Sequence, residues 1–167
     1  QDALDEAVRR MAATLHHRGP DDRGYWADPA GGIALGHTRL SILDLSPNGH
    51  QPMVSATGRF VMVFNGEIYN HQSLSSDLRA LGVAFRGHSD TEVLLSGFER
   101  WGLVPTLERA IGMFAIAVWD RQDRQLHLAR DRVVHVRRDD VTGGPVHVAD
   151  LLREMPGREE LDAVLSD

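Results

Sequence analysis

A dense run of strand-forming residues in the middle of the chain places the strongest constraint on the fold. The five residues Phe60-Val61-Met62-Val63-Phe64 are all apolar and uninterrupted, which predicts a β-strand over residues 59–65. The run stops at Asn65-Gly66, a pair typical of a tight turn. A second apolar run at 113–119 predicts another strand. With 167 residues, 42% of them hydrophobic, the chain is long enough for one domain with a real core.

Helical periodicity and turn signals divide the rest of the chain. Apolar residues at helical spacing predict an amphipathic helix over residues 2–16 and a helix after Asn70 that Gly82 closes. A third helix is expected to start at Asp90, with Ser89 or Asp90 as its N-cap. The other predicted elements are strands at 32–36, 37–43, 83–85 and 125–130, a short helix at 103–111, and loops at 17–22, 44–52 and 120–124. Strands flanked by helices and joined by hairpins indicate an α+β layered domain.

Composition excludes several function classes. The formal net charge of −6 gives no electrostatic case for binding nucleic acid or an anionic membrane. The longest apolar run, Ala110 to Trp119, is shorter than the roughly 20 residues that a membrane span needs. The acidic N-terminus does not look like a signal peptide, so we expect a cytoplasmic protein. The nine histidines show no metal-ligand spacing, and we expect no metal site.

The segment that follows the central strand carries donors without an obvious nucleophile. An Asn side-chain amide and a glycine N–H stand side by side at Asn65-Gly66, a pair suited to stabilising a developing oxyanion. The chain contains no cysteine, so no thiol is present to create one. Simpler interpretations exist for each candidate residue. Asn-Gly is common in turns, an Arg such as Arg39 between apolar residues is usually a surface side chain, and Asp90 suits a helix cap.

Four segments in one order favour a more specific interpretation. They are His17-Arg18-Gly19-Pro20-Asp21, His37-Thr38-Arg39-Leu40-Ser41-Ile42, Asn65-Gly66-Glu67-Ile68-Tyr69-Asn70 and Ser89-Asp90-Thr91-Glu92. Together with the segments at 113–120 and 128–132, they resemble the glutaminase domain of class II glutamine amidotransferases, specifically of glutamine-hydrolysing asparagine synthetase. The resemblance runs from about residue 11 to residue 132. It implies an N-terminal nucleophile (Ntn) hydrolase-like sandwich of antiparallel sheets with helices, here incomplete at the N-terminus.

The resemblance also implies a glutamine site. A guanidinium can donate two parallel hydrogen bonds to a carboxylate, so Arg39 takes the α-carboxylate of glutamine. Glu67 and Asp90 are the matching candidates for its ammonium group. Asn65 and the N–H of Gly66 correspond to the oxyanion hole. Backbone groups around Leu40 and Leu43 are expected to complete the wall of the site.

The chain departs from the family pattern at both ends. The resemblance implies an N-terminal cysteine that acts as nucleophile, with its own α-amine as base, whereas this chain begins at Gln1. After Arg132 the match stops, so we divide the chain into a glutaminase-like domain at 1–132 and a divergent tail at 133–167. The family's synthetase domain, which would bind ATP and magnesium and amidate aspartate, has no visible counterpart here. We therefore expect no cofactor in this chain.

Two functions follow from these observations. The first is the glutaminase domain of an asparagine synthetase-like enzyme, which would release ammonia from glutamine and pass it to the synthetase domain. The second is a degenerate, non-catalytic module of the same fold, as in β-lactam synthetase-like proteins. In either case the chain as given is expected to hydrolyse no glutamine. Without its first strand, it is also expected to self-associate through exposed strand edges into a homo-oligomer.

Overall fold

Four layers make up the fold in the computed structural model, which describes residues 2–40 and 49–131. The elements in chain order are helix α1 (Asp2–Thr14), a 3-10 turn (His16–Arg18), strands β1 (Asp22–Asp28), β2 (Ile33–Arg39), β3 (Met53–Val54) and β4 (Phe60–Ile68), helices α2 (His71–Ala80), α3 (Asp90–Trp101) and α4 (Leu103–Arg109), and strands β5 (Gly112–Asp120) and β6 (Gln125–Arg130). Strands β1 and β2 form one antiparallel sheet, and a second has the order β3-β4-β5-β6. The predicted α+β layered class is confirmed.

The side chains of β4 and β5 alternate between the two faces of the sheet and so contribute to two hydrophobic cores, one on each face. Successive side chains of a strand point to opposite faces. Even-numbered residues of these strands face helices α2 to α4 in the larger core, which includes Met62, Phe64, Leu78, Leu94, Phe98, Ile116 and Val118. Odd-numbered residues face the first sheet, where Val61 and Trp119 pack with Leu35 of β2. The sheet of four strands therefore has an apolar layer on each side.

Helix α1 covers the outer face of the first sheet. Its buried residues Val8 and Ala12 lie against Gly36 of β2, where a Cβ would come within 2.8 Å of the Val8 side chain. The neighbouring Leu35 points the other way, into the space between the sheets. The layer order is thus α1, the β1–β2 sheet, the β3–β6 sheet, and helices α2 to α4.

Several predicted boundaries are confirmed. Helix α3 begins at Asp90, and the side chain of Ser89 caps it by accepting a hydrogen bond from Glu92 N–H at 3.2 Å. Helix α2 is followed by Gly82 with φ of 85°, the left-handed conformation that favours glycine. Strand β6 has the predicted bounds, and the helix at 103–111 ends slightly earlier, at Arg109.

Other predictions of secondary structure are wrong, and pairing explains most of them. The predicted turn at Asn65-Gly66 is absent, because β4 pairs residue by residue with β5 as far as Ile68. The strand predicted at 32–36 and the described part of the one predicted at 37–43 are one strand, β2, and its partner β1 was not predicted at all. Residues 41–43 of the second prediction lie outside the described residues. Residues 83–85 form no strand. The first helix ends at Thr14 rather than at residue 16.

Candidate functional site

Strand β4 carries three of the predicted site residues in a row, and Asn65, Gly66 and Glu67 are all exposed. By alternation, the side chains of Asn65 and Glu67 lie on the same face as the buried Val61. Val63, two residues earlier on this face, is half-buried and packs with the residues between the two sheets. Asn65 and Glu67 continue the same face as exposed residues. Among the described residues, the Asn65 amide has no hydrogen-bond partner.

Glycine is required at position 66 by the close approach of β5. The residue has φ of 142°, a value that side-chain-bearing residues rarely adopt. A Cβ would overlap the carbonyl oxygen of Met113 and would lie 2.6 Å from Cα of Phe114. Both contacts are with backbone, which has little freedom to move away. Gly66, which the sequence pattern assigned to a turn, thus lies inside a strand, where glycine is needed because the backbone of β5 comes so close.

The direction of the Gly66 N–H follows from its neighbours on the strand. The N–H groups of Phe64 and Ile68 both point away from β5, since each donates to a side chain on the opposite edge of β4. Alternate residues of a strand hydrogen-bond to the same side. The N–H of Gly66, midway between them, therefore points to that same edge. No acceptor for it is found in the part of the chain that the structure describes.

Asp90 lies beside this edge at the start of helix α3. Its Oδ2 accepts the N–H of Ile68 at 3.1 Å, and its Oδ1 accepts the N–H of Thr91 at 2.8 Å. Asp90 therefore ties the end of β4 to the N-terminus of α3, where the helix dipole also favours a negative charge. This placement brings a half-buried carboxylate within two residues of Gly66. Its predicted contact with an ammonium group stays a prediction.

Arg39 ends strand β2, two residues after His37. Its guanidinium packs so closely on Gly49 that a Cβ there would overlap it. Leu40, the next residue, is 56% exposed. Leu43, predicted to contribute to the same wall, lies outside the described residues.

Two residues that we had not predicted connect β2 with β4 at this point. The side chain of Gln51, only 6% exposed, accepts the N–H of Phe64 at 2.5 Å and donates to the carbonyl of Phe64 at 3.0 Å. His37 on β2 also donates to this carbonyl, with Nε2 at 3.1 Å. Phe64 directly precedes Asn65. Nothing in the sequence marks Gln51, which stands in a predicted loop, although His37 falls within a segment that carried the resemblance.

Burial and charge set the protonation of the histidine and its neighbours. Desolvation, together with the charge of Arg39, lowers the pKa of His37 below its usual value, despite the hydrogen bond to Phe64. A neutral His37 donates to this carbonyl only as the Nε2–H tautomer. Partial burial disfavours the charged form of Asp22, but the hydrogen bond and charge of His50, at 2.8 Å, lower the pKa of Asp22 overall.

The structure thus gathers the described candidates around one end of β4. Asn65, Gly66 and Glu67 lie on the strand itself. Asp90 accepts a hydrogen bond from the N–H of Ile68, the residue after Glu67. Arg39 ends strand β2, whose His37 bonds to the carbonyl of Phe64, the residue before Asn65. A donor pair, a guanidinium and two carboxylates are the groups that would recognise a small amino acid with a side-chain carbonyl.

Other features of the described residues lie apart from this site. A polar cleft of about 570 Å³, lined by Asp28, Thr57, Arg59, Glu99 and Arg121 among others, opens at the opposite end of β4 and β5. No cluster of three or more potential metal ligands is found among the described residues. Within the same residues, every helix is too short or too polar to cross a membrane.

Comparisons with known proteins converge on one family. A family model described as a glutamine amidotransferase domain matches residues 1–135. A Mycobacterium tuberculosis protein, provisionally named as a glutamine-hydrolysing asparagine synthetase, is 44% identical over 133 residues. The match covers 75% of this chain and 20% of that protein. Asparagine synthetase (glutamine-hydrolyzing) 3 of Bacillus subtilis is 38% identical over 130 residues, with 77% and 20% coverage.

Among solved structures, glutamine phosphoribosylpyrophosphate amidotransferase from B. subtilis, complexed with ADP and GMP, matches with a TM-score of 0.49 and 24% sequence identity. That match covers 59% of this chain and 23% of the other. The chain spans about one fifth of the length of the relatives it matches in sequence. Since the family model covers 135 of the 167 residues, this chain belongs to the glutamine amidotransferase domain family.

Proposed function

We propose that the end of β4 binds glutamine and that the intact protein uses this site to release ammonia. The observation that carries the proposal is the donor pair at Asn65 and Gly66. Neither the Asn65 amide nor the edge-facing N–H of Gly66 has a partner outside the sheet ladder among the described residues, and both are exposed. Two adjacent donors, one of them fixed in a paired strand, are suited to the side-chain carbonyl of glutamine and to the oxyanion formed from it.

The charged groups would recognise the amino-acid end of glutamine. The guanidinium of Arg39 would donate two hydrogen bonds to the α-carboxylate. The carboxylates of Glu67 and Asp90 would accept from the ammonium group, while backbone groups around Leu40 and Leu43 would line the wall. Asp90 keeps lone pairs for this role because each of its oxygens can accept more than one hydrogen bond.

Hydrolysis by the proposed route requires a cysteine thiol, which the 167 residues of this chain do not contain. In the proposed reaction, a thiolate attacks the amide carbon, and Asn65 and Gly66 stabilise the oxyanion of the tetrahedral intermediate. The α-amine of the N-terminal cysteine would take the proton of the thiol and return it to the departing nitrogen, so that collapse breaks the C–N bond and releases ammonia; water then cleaves the thioester to give glutamate and the free thiol. Because the chain has no cysteine, we expect it to bind glutamine without turning it over.

For the whole protein we propose the activity for which its relatives are named. A synthetase domain would receive the ammonia and use ATP and magnesium to amidate aspartate, in the cytoplasm. No residue of this chain is assigned to ATP or magnesium. The alternative, a non-catalytic module with the same fold, predicts that glutamine does not bind.

Calorimetric titration with glutamine tests the proposal directly. Removing the guanidinium should weaken binding by roughly 2–5 kcal/mol if the carboxylate pair is desolvated, so Arg39→Ala should bind little or no glutamine. Arg121→Ala is the matched control, because Arg121 is an exposed arginine at the far end of β5. Wild-type chain that binds no glutamine would support the module, and equal affinities for wild type and Arg39→Ala would remove Arg39 from the site.

A further inference from the structure

The edge of β4 that faces away from β5 has an unusual set of partners. Along this edge, every second residue presents its N–H and C=O groups. At its beginning the partner is ordinary strand backbone. Ser55 N–H donates to the carbonyl of Phe60 at 2.9 Å, and Met53 of β3 stands opposite Met62. Beyond Met62, strand β3 has ended, and side chains take over.

Gln51 continues the ladder with its side chain. The register that pairs Met53 with Met62 would place residue 51 opposite Phe64. There the carboxamide of Gln51 makes both bonds that a peptide unit would make, accepting from Phe64 N–H at 2.5 Å and donating to Phe64 C=O at 3.0 Å. The backbone of Gln51 lies against β1, where a Cβ at Gly24 would overlap its carbonyl oxygen. A buried side chain with both polar atoms satisfied is held firmly in place.

The other end of this edge is fixed by Asp90, which accepts the N–H of Ile68 at 3.1 Å. Between the two fixed positions lies Gly66. The N–H groups of Phe64 and Ile68, the neighbours of Gly66 on this edge, donate to the side chains of Gln51 and Asp90. No described group accepts the N–H of Gly66. A backbone strand at the position of Gln51 could continue along the edge and also pair with Gly66. A side-chain amide can pair with one residue only, here Phe64.

We propose that Gln51 is a positioning residue that holds β4 so that the N–H of Gly66 stays available for the side-chain carbonyl of glutamine. This inference rests on the proposed function of Asn65 and Gly66. Gln51 does not touch the substrate. It fixes the peptide groups of Phe64, so that Asn65 and Gly66 leave the ladder in a defined direction, and it stops the ladder before Gly66 is paired.

The test compares Gln51→Met with Ser55→Ala in the full chain. Met has a length similar to that of Gln and removes both hydrogen bonds. Ser55→Ala is the matched control, because the buried Ser55 hydroxyl accepts from Phe60 N–H at 3.1 Å on the same edge, four residues before Phe64. The measurements are amide hydrogen exchange at Phe64, the Gly66 amide chemical shift without ligand, glutamine affinity by calorimetry, and the melting temperature.

We expect Gln51→Met to speed exchange at Phe64, to shift the Gly66 amide signal, and to weaken glutamine binding by about tenfold, the loss typical of one or two misplaced hydrogen bonds. Ser55→Ala should lose stability while it keeps the Gly66 signal and the affinity. Unchanged exchange at Phe64 in Gln51→Met, wild-type affinity, or an equal loss of affinity in Ser55→Ala would overturn the proposal.

A second variant covers the case in which Gln51→Met does not fold. Gln51→Glu keeps an acceptor for the N–H of Phe64 but places a carboxylate oxygen against its carbonyl, so it should weaken glutamine binding in the same direction. Wild-type affinity in Gln51→Glu would likewise overturn the role of Gln51. The failure of the proposed function is a different result, in which the wild-type chain binds no glutamine although Phe64 and Gly66 respond to Gln51→Met as described.

Discussion

Replacing Gly66 with alanine probes how strand β5 constrains the site. Two costs are expected. A side chain at φ of 142° is strained by about 1–3 kcal/mol. In addition, the new Cβ would overlap the backbone of Met113 and Phe114, so β5 must move away locally. Losing one or two ladder hydrogen bonds in this movement costs about 0.5–1.5 kcal/mol each.

Gly82→Ala provides the matched control. Gly82 also has positive φ, 85°, but a Cβ there would meet nothing within 4 Å. This variant should cost about 1 kcal/mol, since only the conformational strain remains. Gly66→Ala should cost about 1.5–6 kcal/mol, the sum of strain and displaced pairing. For a chain of this length, 1 kcal/mol corresponds to a shift of about 2–4 °C in melting temperature.

Urea denaturation followed by circular dichroism measures both variants under the same conditions. We expect Gly66→Ala to be destabilised clearly more than Gly82→Ala. If the two variants lose the same stability, the close approach of β5 does not constrain residue 66, and the fixed direction of its N–H loses its physical basis.

Two further predictions concern protonation and chemistry. Because the pKa of His37 is lowered on folding, the contribution of His37 to stability is present above its unfolded pKa of about 6.5 and is lost as the pH falls. The unfolding free energies at pH 7 and pH 5.5 should therefore differ more for wild type than for His37→Gln. The same difference in both proteins would contradict this prediction. An N-terminal Cys-Gly-Ile extension, processed so that cysteine is the first residue, should confer glutaminase activity, and Asn65→Ala should lower that activity by roughly 100- to 1,000-fold. A folded extended chain that releases no glutamate would favour the non-catalytic module, as would one that releases the same amount of glutamate with Asn65→Ala.

The sequence predicted the elements whose signals are local. The apolar run at 60–64 became the centre of β4, because alternate residues of this strand fill both cores. Ser89 caps α3 as expected, since an N-cap depends only on the next three residues. The site residues predicted on β4 and α3 also come from short segments; the fold places them next to each other at one end of β4, and their roles stay predictions.

The elements that were missed depend on distant partners. Strand β1, with the sequence Asp-Arg-Gly-Tyr-Trp-Ala-Asp, has little strand character of its own and is a strand because seven of its residues pair with β2. Asn65-Gly66 was interpreted as a turn because the close approach of β5 cannot be read from neighbouring residues. Gln51 was missed for the same reason, since its partner Phe64 lies 13 residues away.

The proposed function depends on the side-chain carbonyl of glutamine binding between Asn65 and the N–H of Gly66. Its most direct test is a titration of the ¹⁵N-labelled chain with glutamine, followed at the Gly66 amide and the Asn65 side-chain amide by nuclear magnetic resonance. We predict saturable shifts of both signals with one common affinity, and no such shifts in Arg39→Ala. Glutamine that leaves both signals unchanged, or that shifts them equally in Arg39→Ala, would contradict binding at Asn65 and Gly66.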